Sequence, residues 1–375
     1  MKTHAAVLVA AGRERPFAGS LPVEVTELDL AEPGAGEALV RIASAGLCHS
    51  DLSAVDGSRP RPLPIVLGHE AAGVVERVGP GVTHVREGQR VVCSYVPICG
   101  YCEFCVTGRP ALCINGTHAN GAGTLLSGAV RFARGAEPVL HHLGVSAFSE
   151  YTVCAQESLI PVPDDAPLEI AALFGCAALT GIGAVLNTAR LPTGSTVAVF
   201  GAGGVGLMGV LGANAAGALR IVVVDPVAAK RELARSLGAT DTIDPAAGDP
   251  AQQVRELLDG GAEYVFEMAG NAKVLEQAIE ATRRGGTTVT VGLPSAAAKA
   301  SFGHSALVGE ERTIKGSYMG SAVPQRDIPR YLALWRAGRL PIERLVSGEF
   351  ALSAINAALD ALASGTVART ICRLS

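Results

Sequence analysis

The chain has 375 residues, enough for two domains of ordinary size, and its 49% hydrophobic and 18% charged residues allow a large core. A net charge of −4 without any basic run argues against a nucleic-acid binder, and no internal repeat or heptad array is present. Residues 5–12, AAVLVAAG, could pass for a signal-peptide core, but they are short and RERP follows at once, so an amphipathic first strand in a soluble cytoplasmic protein is expected.

Residues 1–45 alternate strand patterns (AAVLV, LPVEVTELDL, EALVRIASAG) with turn signals at Ala11-Gly12 and Glu32-Pro33-Gly34. They read as a small β-rich barrel. Gly46-Leu47-Cys48-His49-Ser50-Asp51 follows, then the Pro-rich loop RPRPLP ending at Pro64, then Gly68-His69-Glu70. A cysteine lobe covers 97–115, a polar Gly-rich loop runs to about Gly135, and 148–163 return to strand patterning. From Pro167 the texture changes: LEIAALFGCAALTGIGAVLNTA is apolar at helical spacing and carries Cys176. Strands are expected at Val197–Phe200, Ile221–Val224, Tyr264–Glu267, Thr288–Val291 and Thr313–Gly316, and helices at Val227–Leu237, Gln252–Leu258 and Lys273–Ala281. That alternation is the α/β pattern of a doubly wound parallel sheet. Beyond Met319 two amphipathic helices flank a strand, Arg344–Ala351, and this tail is expected to return to the first domain.

Two motifs carry chemistry on spacing alone. Cys99, Cys102, Cys105 and Cys113 form C-x2-C-x2-C-x7-C. Four thiolates suit tetrahedral zinc and leave no open position, so the site is structural, and metal would supply folding energy to a lobe with few apolar residues. The stretch TVAVFGAGGVGLMGVLGANAAGALRIVVVD from Thr196 to Asp225 reads strand, tight turn, helix, strand. Gly201, Gly203 and Gly206 fit G-x-G-x-x-G, with Gly204 and Val205 opening the helix. Backbone N–H groups there can take a pyrophosphate, and Asp225, 19 residues beyond Gly206, is placed to accept the adenosine ribose hydroxyls of NAD. No Asp, Glu, Lys or Arg lies between Arg190 and Arg220, but the glycines and the strand pattern there oppose a membrane span.

Cys48, His69 and Cys176 are far apart, and spacing alone does not join them. GLCHSD at 46–51, GHEAAG at 68–73, the four-cysteine lobe, GCAALTG at 175–181 and GAGGVG with Asp225 nevertheless occur in one order. In that order the chain resembles the zinc-dependent alcohol dehydrogenases of the medium-chain dehydrogenase/reductase superfamily over nearly its whole length. The resemblance implies a GroES-like β-rich catalytic domain (1–177, with the zinc lobe at 97–115), a Rossmann NAD-binding domain (178–319) and a return segment (320–375).

It also implies a catalytic zinc on Cys48, His69 and Cys176, hence two zinc ions per chain. Glu70 is expected close behind the metal, and Asp51 in contact with His69. Ser50 matches the hydroxyl that takes the alcohol proton. The histidine that continues this relay in several relatives is replaced here by Ser53. His49 and Arg369 match coenzyme pyrophosphate contacts, and Thr180 and Lys230 match further coenzyme contacts. Tyr95, Leu143 and Leu293 would line the substrate pocket, with Arg59 at another pocket position.

The expected activity is hydride transfer between a small-molecule alcohol, or an aldehyde or ketone in reverse, and NAD(H). A homodimer without nucleic-acid or membrane partners is expected, pairing through Thr313–Gly316. Two alternatives stand beside it. One is a formaldehyde dehydrogenase acting on a thiol adduct, disfavoured by the absence of Arg and Lys in 114–128. The other is a non-catalytic NAD-binding protein, disfavoured by the complete set Cys48, His69, Glu70, Cys176 and Ser50.

Overall fold

Exposed and buried positions alternate at the start of the strand Lys2–Leu8, so one of its faces turns inward from the first residues. In the computed structural model, which describes Met1–Leu374, this strand pairs antiparallel with Val23–Leu30. Phe132–Arg134, Glu137–His141 and Ile65–Val66 complete a closed five-stranded barrel around Val7, Leu28, Leu30, Phe132 and Val139. A second sheet runs in the order Leu159–Pro161, Arg90–Cys93, Ala71–Val78, Glu37–Gly46, Arg369–Arg373, Val346–Ala351, with Tyr151–Ala155 also paired to Glu37–Gly46. Val40, Ile42, Val75, Val91 and Phe148 are fully buried in its core, each worth about 1.5–3 kcal/mol of apolar burial. The register matters for function. Ile65–Val66 and Glu137–His141 are parallel neighbours, Val66 opposite His141, so the residues that follow them emerge at one end of the barrel.

The chain divides into two compact units. The first holds 1–176, 323–332 and the chain from Val346 onward; the second holds 177–322 and 333–345. The tail therefore does not return whole to the first unit. Arg339 donates to the Ala215 carbonyl (3.2 Å) and Arg344 to the Ser236 carbonyl (2.8 Å), which ties 333–345 to the second.

The second unit is built on six parallel strands in the order Asp241–Ile243, Arg220–Val224, Thr196–Phe200, Ala262–Glu267, Thr282–Thr290, Thr313–Gly316. Strand order reverses between Thr196–Phe200 and Ala262–Glu267, the point where such sheets bind ligands. Four differences from the sequence reading stand out. Asp241–Ile243 is a strand of three residues, too short to carry a periodic signal. Thr282–Thr290 starts six residues before the expected Thr288, through two arginines and two glycines. His304–Gly309 is an unexpected short helix. The polar loop after the cysteine lobe opens with a helix, Ile114–Ala122, which Cys113 caps by accepting from the Gly116 N–H. Among the described residues no single helix is long and apolar enough to cross a membrane.

Candidate active site

Asp51 is the hub of the first site. Cys48 is the N-cap of the helix His49–Val55, and Asp51, three residues on, returns its carboxylate to the Cys48 N–H (Oδ2, 3.1 Å). The other oxygen, Oδ1, accepts from the Gly68 N–H (3.2 Å) and faces His69 Nδ1 at 3.1 Å. One fully buried carboxylate thus fixes two loops that arrive from different strands. It also sets the tautomer of His69: with the proton on Nδ1, the Nε2 lone pair is left for a metal. Gly68 sits at φ +91°, a turn that L side chains rarely adopt, and this turn delivers His69.

His69 Nε2 lies 3.5 Å from Cys176 Sγ, and ligand atoms of Cys48, His69 and Cys176 all fall within 4.8 Å of one another, on buried residues. Their charges are strongly coupled. The Cys48 thiol is pulled well below its usual range by its hydrogen bond with Cys176 and, against burial, by His69. The same pairing, with burial, raises Cys176. Burial would lower His69, but the Asp51 charge and hydrogen bond outweigh it and push the imidazole up to about 10. Two soft sulfurs and one oriented imidazole, with no fourth protein ligand in the cluster among the described residues, match a catalytic zinc site. Glu70 is fully buried behind them, 3.0 Å from Arg369 Nη2, while Arg369 Nη1 donates to the Leu47 carbonyl at 2.8 Å. Arg369, expected at the coenzyme, is thus 3% exposed and bound to Glu70. Ser50 is half-buried and His49 exposed.

The cysteine lobe brings its four sulfurs within 4.8 Å of one another. Cys102 and Cys105 are 3.4 Å apart, and Cys99 and Cys105 3.9 Å. Backbone N–H groups point at the sulfurs: those of Cys99 and Gly116 at Cys113 Sγ (3.3 Å each), that of Cys102 at Cys99 Sγ (3.4 Å). Such bonds favour thiolates, and Cys102 is lowered to about 6, chiefly by the Ile114 N–H. Four converging sulfurs with no open position fit structural zinc.

In the second unit Gly201 turns at φ +97°, and a Cβ on Gly206 would strike the Gly201 carbonyl oxygen. A Cβ on Gly203 would meet nothing, so the turn is open where a pyrophosphate would lie. Asp225 Oδ2 accepts from the Ala202 N–H (2.7 Å) and Oδ1 from the Val227 N–H (2.8 Å). A carboxylate has about four acceptor positions, so each oxygen keeps one for a ribose hydroxyl. The Thr180 hydroxyl is buried without a protein partner among the described residues. These features fit NAD. Lys230 is half-buried, but the cation fixed at Asp225 is its neighbour Arg231, which donates to the Asp225 carbonyl (2.7 Å) and pairs with Asp244 (3.0 Å). The sequence reading missed Arg231, and it missed His142, a buried imidazole beside His69. A pair of histidines in an otherwise apolar segment was the signal available for the second.

A barrel unit with a three-ligand metal site and a Rossmann unit with a glycine turn and a ribose-binding acid define a metal- and dinucleotide-dependent dehydrogenase. Residues 34–164 match the alcohol dehydrogenase GroES-like domain, and 204–336 the zinc-binding dehydrogenase domain. The chain is 40% identical over 375 residues to the S-(hydroxymethyl)glutathione dehydrogenase of Photobacterium damsela subsp. piscicida, covering 99% of both chains. The crystal structure of an alcohol dehydrogenase zinc-binding domain protein from Burkholderia ambifaria superposes with a TM-score of 0.94 at 38% identity, over 100% of this chain and 99% of that one. Benzyl alcohol dehydrogenase from Acinetobacter calcoaceticus gives a TM-score of 0.93 at 33% identity over all of both chains. The chain belongs to the zinc-dependent alcohol dehydrogenase family of the medium-chain dehydrogenase/reductase superfamily, and it is an oxidoreductase that uses zinc and NAD.

Proposed function

We propose that the enzyme interconverts an alcohol and its aldehyde or ketone with NAD(H), using the cluster of Cys48, His69 and Cys176. The observation that carries this reading is that two sulfurs and one imidazole nitrogen converge within 4.8 Å, fixed by one buried carboxylate, in a chain that has a separate four-cysteine site. When bound, zinc supplies a Lewis acid that lowers the pKa of an alcohol hydroxyl, and NAD supplies the hydride acceptor. The residues do the rest. Asp51 holds the proton on His69 Nδ1 and anchors the Cys48 backbone. Arg369 neutralises Glu70 behind the ligands. Ser50 Oγ takes the alcohol proton, and with Ser53 in place of a relay histidine the proton leaves through water. Gly201, Gly203, Gly204, Val205 and Gly206 hold the pyrophosphate, Asp225 the ribose hydroxyls, and Thr180, Lys230 and His49 make further coenzyme contacts. Cys99, Cys102, Cys105 and Cys113 hold the structural zinc.

A second substrate reading is favoured by the relatives named S-(hydroxymethyl)glutathione dehydrogenase at 40% identity over the full chain. NADH absorbance with a panel of primary, secondary, aromatic and acidic alcohols, and with formaldehyde plus and minus glutathione, separates the two. Turnover that requires glutathione selects the second. No turnover on any substrate, from protein holding two zincs, refutes both. The enzyme acts as a homodimer paired through Thr313–Gly316, a largely exposed outer strand whose free edge is open to a second copy. A monomer in light scattering at micromolar concentration overturns this.

A further inference from the structure

The reaction gives no task to His142, yet the fold takes trouble over it. It follows the strand Glu137–His141, whose parallel neighbour Ile65–Val66 leads into His69, so both imidazoles emerge at one end of the barrel. Their rings lie 5.4 Å apart at 49°, and Tyr95 meets His69 edge-on at 5.7 Å. The His142 backbone is held by a tight loop: its N–H donates to Ser146 Oγ (3.0 Å) and its carbonyl accepts from the Val145 (3.1 Å) and Ser146 (3.2 Å) N–H groups. Within that loop Leu143 and Ser146 both sit at φ +53°, flanking Gly144 at φ +67°. Positive φ on non-glycine residues costs of order 1–3 kcal/mol each, and such strain gathers where a side chain must be aimed.

The side chain itself is 1% exposed, and neither ring nitrogen has a hydrogen-bond partner among the described residues. Nδ1 is 3.4 Å from Asp51 Oδ1, but that oxygen is already engaged by the Gly68 N–H and His69 Nδ1. The adjacent His141, equally buried, has one ring nitrogen engaged, its Nε2 accepting from the Arg131 N–H at 3.1 Å, and only its Nδ1 without a partner among the described residues, whereas His142 has both nitrogens open. An unsatisfied buried polar atom costs about 1–3 kcal/mol and calls for a partner.

We propose that His142 is a specificity determinant: its Nε2 accepts a hydrogen bond from a second donor group on the alcohol substrate, so the enzyme selects alcohols that carry another hydroxyl. The inference rests on the alcohol dehydrogenase reading above. Its direction comes from the ring. A neutral imidazole carries one N–H and one lone pair. The nearby Asp51 carboxylate places the N–H on Nδ1, which leaves Nε2, at the tip of the ring, as an acceptor. A second hydroxyl satisfies it; a carbonyl or carboxylate offers no donor, and a plain alcohol leaves it unpaired.

The test uses the zinc-loaded enzyme with NAD and three pairs of substrates: ethanol against ethylene glycol, and propanol and butanol each against its terminal diol. In the wild type at least one diol exceeds its mono-alcohol in kcat/KM by about tenfold. His142→Phe brings that ratio near one, and His142→Asn, which restores a smaller polar side chain, keeps part of it. Reading a ratio separates recognition from a general loss of stability, which lowers both substrates together. Should His142→Phe not fold, His142→Leu takes its place. Independently, the Cε1–H resonance of His142 shifts when the favoured diol is titrated into the enzyme–NADH complex and stays put with the mono-alcohol. Ratios at or below one for all three pairs, an unchanged ratio in the apolar variant, or a silent resonance overturns the proposal. Failure of the alcohol dehydrogenase reading shows differently, as no NADH from any of the six substrates or from the wider alcohol panel, and the resonance titration with all three diols then decides His142 alone.

Discussion

Replacing Asp51 by asparagine removes one charge and one acceptor from a fully buried hub, and the structure says which contact is lost. The amide oxygen does best at the Oδ1 position, where it keeps both the Gly68 N–H and His69 Nδ1. The NH2 group then lies at the Oδ2 position, donor against donor with the Cys48 N–H. The variant therefore keeps the His69 tautomer and loosens the loop that carries Cys48. A hydrogen bond to a charged group contributes about 1.5–3 kcal/mol, which converts to a roughly 10- to 150-fold loss of affinity at this metal site. Outer contacts of metal ligands typically cost about 10–100-fold, in agreement. The four-cysteine site shares no residue with Asp51 and keeps its metal. The assay is zinc content by mass spectrometry after dialysis against a graded series of chelator concentrations. Asp51→Asn gives up one zinc at roughly 10- to 150-fold weaker chelation than the wild type and retains the second. Release of both zincs at wild-type chelator concentrations refutes the assignment of Asp51 as the anchor of the ligand loops.

Three further outcomes follow. Cys48→Ala binds one zinc per chain instead of two, stays folded and is inactive, whereas Cys102→Ala chiefly lowers the melting temperature, because a closed site contributes folding energy; circular dichroism with metal analysis distinguishes them. Preference for NAD over NADP is tens- to roughly a thousandfold in kcat/KM, since a phosphate about 4 Å from Asp225 is repelled by roughly 4 kcal/mol at an effective dielectric of 20, an effect that Arg231, tied to Asp244, offsets in part. Asp225→Gly relaxes it mainly by weakening NAD, and equal values in the wild type refute the ribose assignment. His141 gives the protein an acid limb: burial lowers its pKa from 6.5 to about 3, so the unfolded chain binds the proton first, and stability is lost as pH falls from 6.5 toward 3. About 2 kcal/mol is gone by pH 5, and His141→Gln, which can still accept from the Arg131 N–H, flattens that part of the urea-midpoint profile; an unchanged profile counts against it.

What the sequence determined by itself were the features written in a few adjacent residues. C-x2-C-x2-C-x7-C specifies a metal site because all four sulfurs belong to one short lobe. GAGGVG followed by Asp225 specifies a dinucleotide turn because strand, turn and helix are local preferences of consecutive residues. Strands such as Val197–Phe200 and Ile221–Val224 were legible as apolar runs, because a strand stretch covered on both faces is apolar throughout. The convergence of Cys48, His69 and Cys176 was not written locally; it was reachable only because the order of five motifs resembled a known family.

Tertiary structure decided the rest. Asp51 satisfies two loops at once because the barrel and the second sheet bring residues 48 and 68 together. His142 stands beside His69 because Val66 pairs with His141 in a parallel register, and a one-residue slip would turn it away. Asp241–Ile243 is a strand only because Arg220–Val224 offers it an edge. Arg231 rather than Lys230 is fixed at Asp225, because Asp244 arrives from beyond the next strand to hold it. A sequence window records what each residue prefers; which distant residues meet depends on register and on contacts that no window contains.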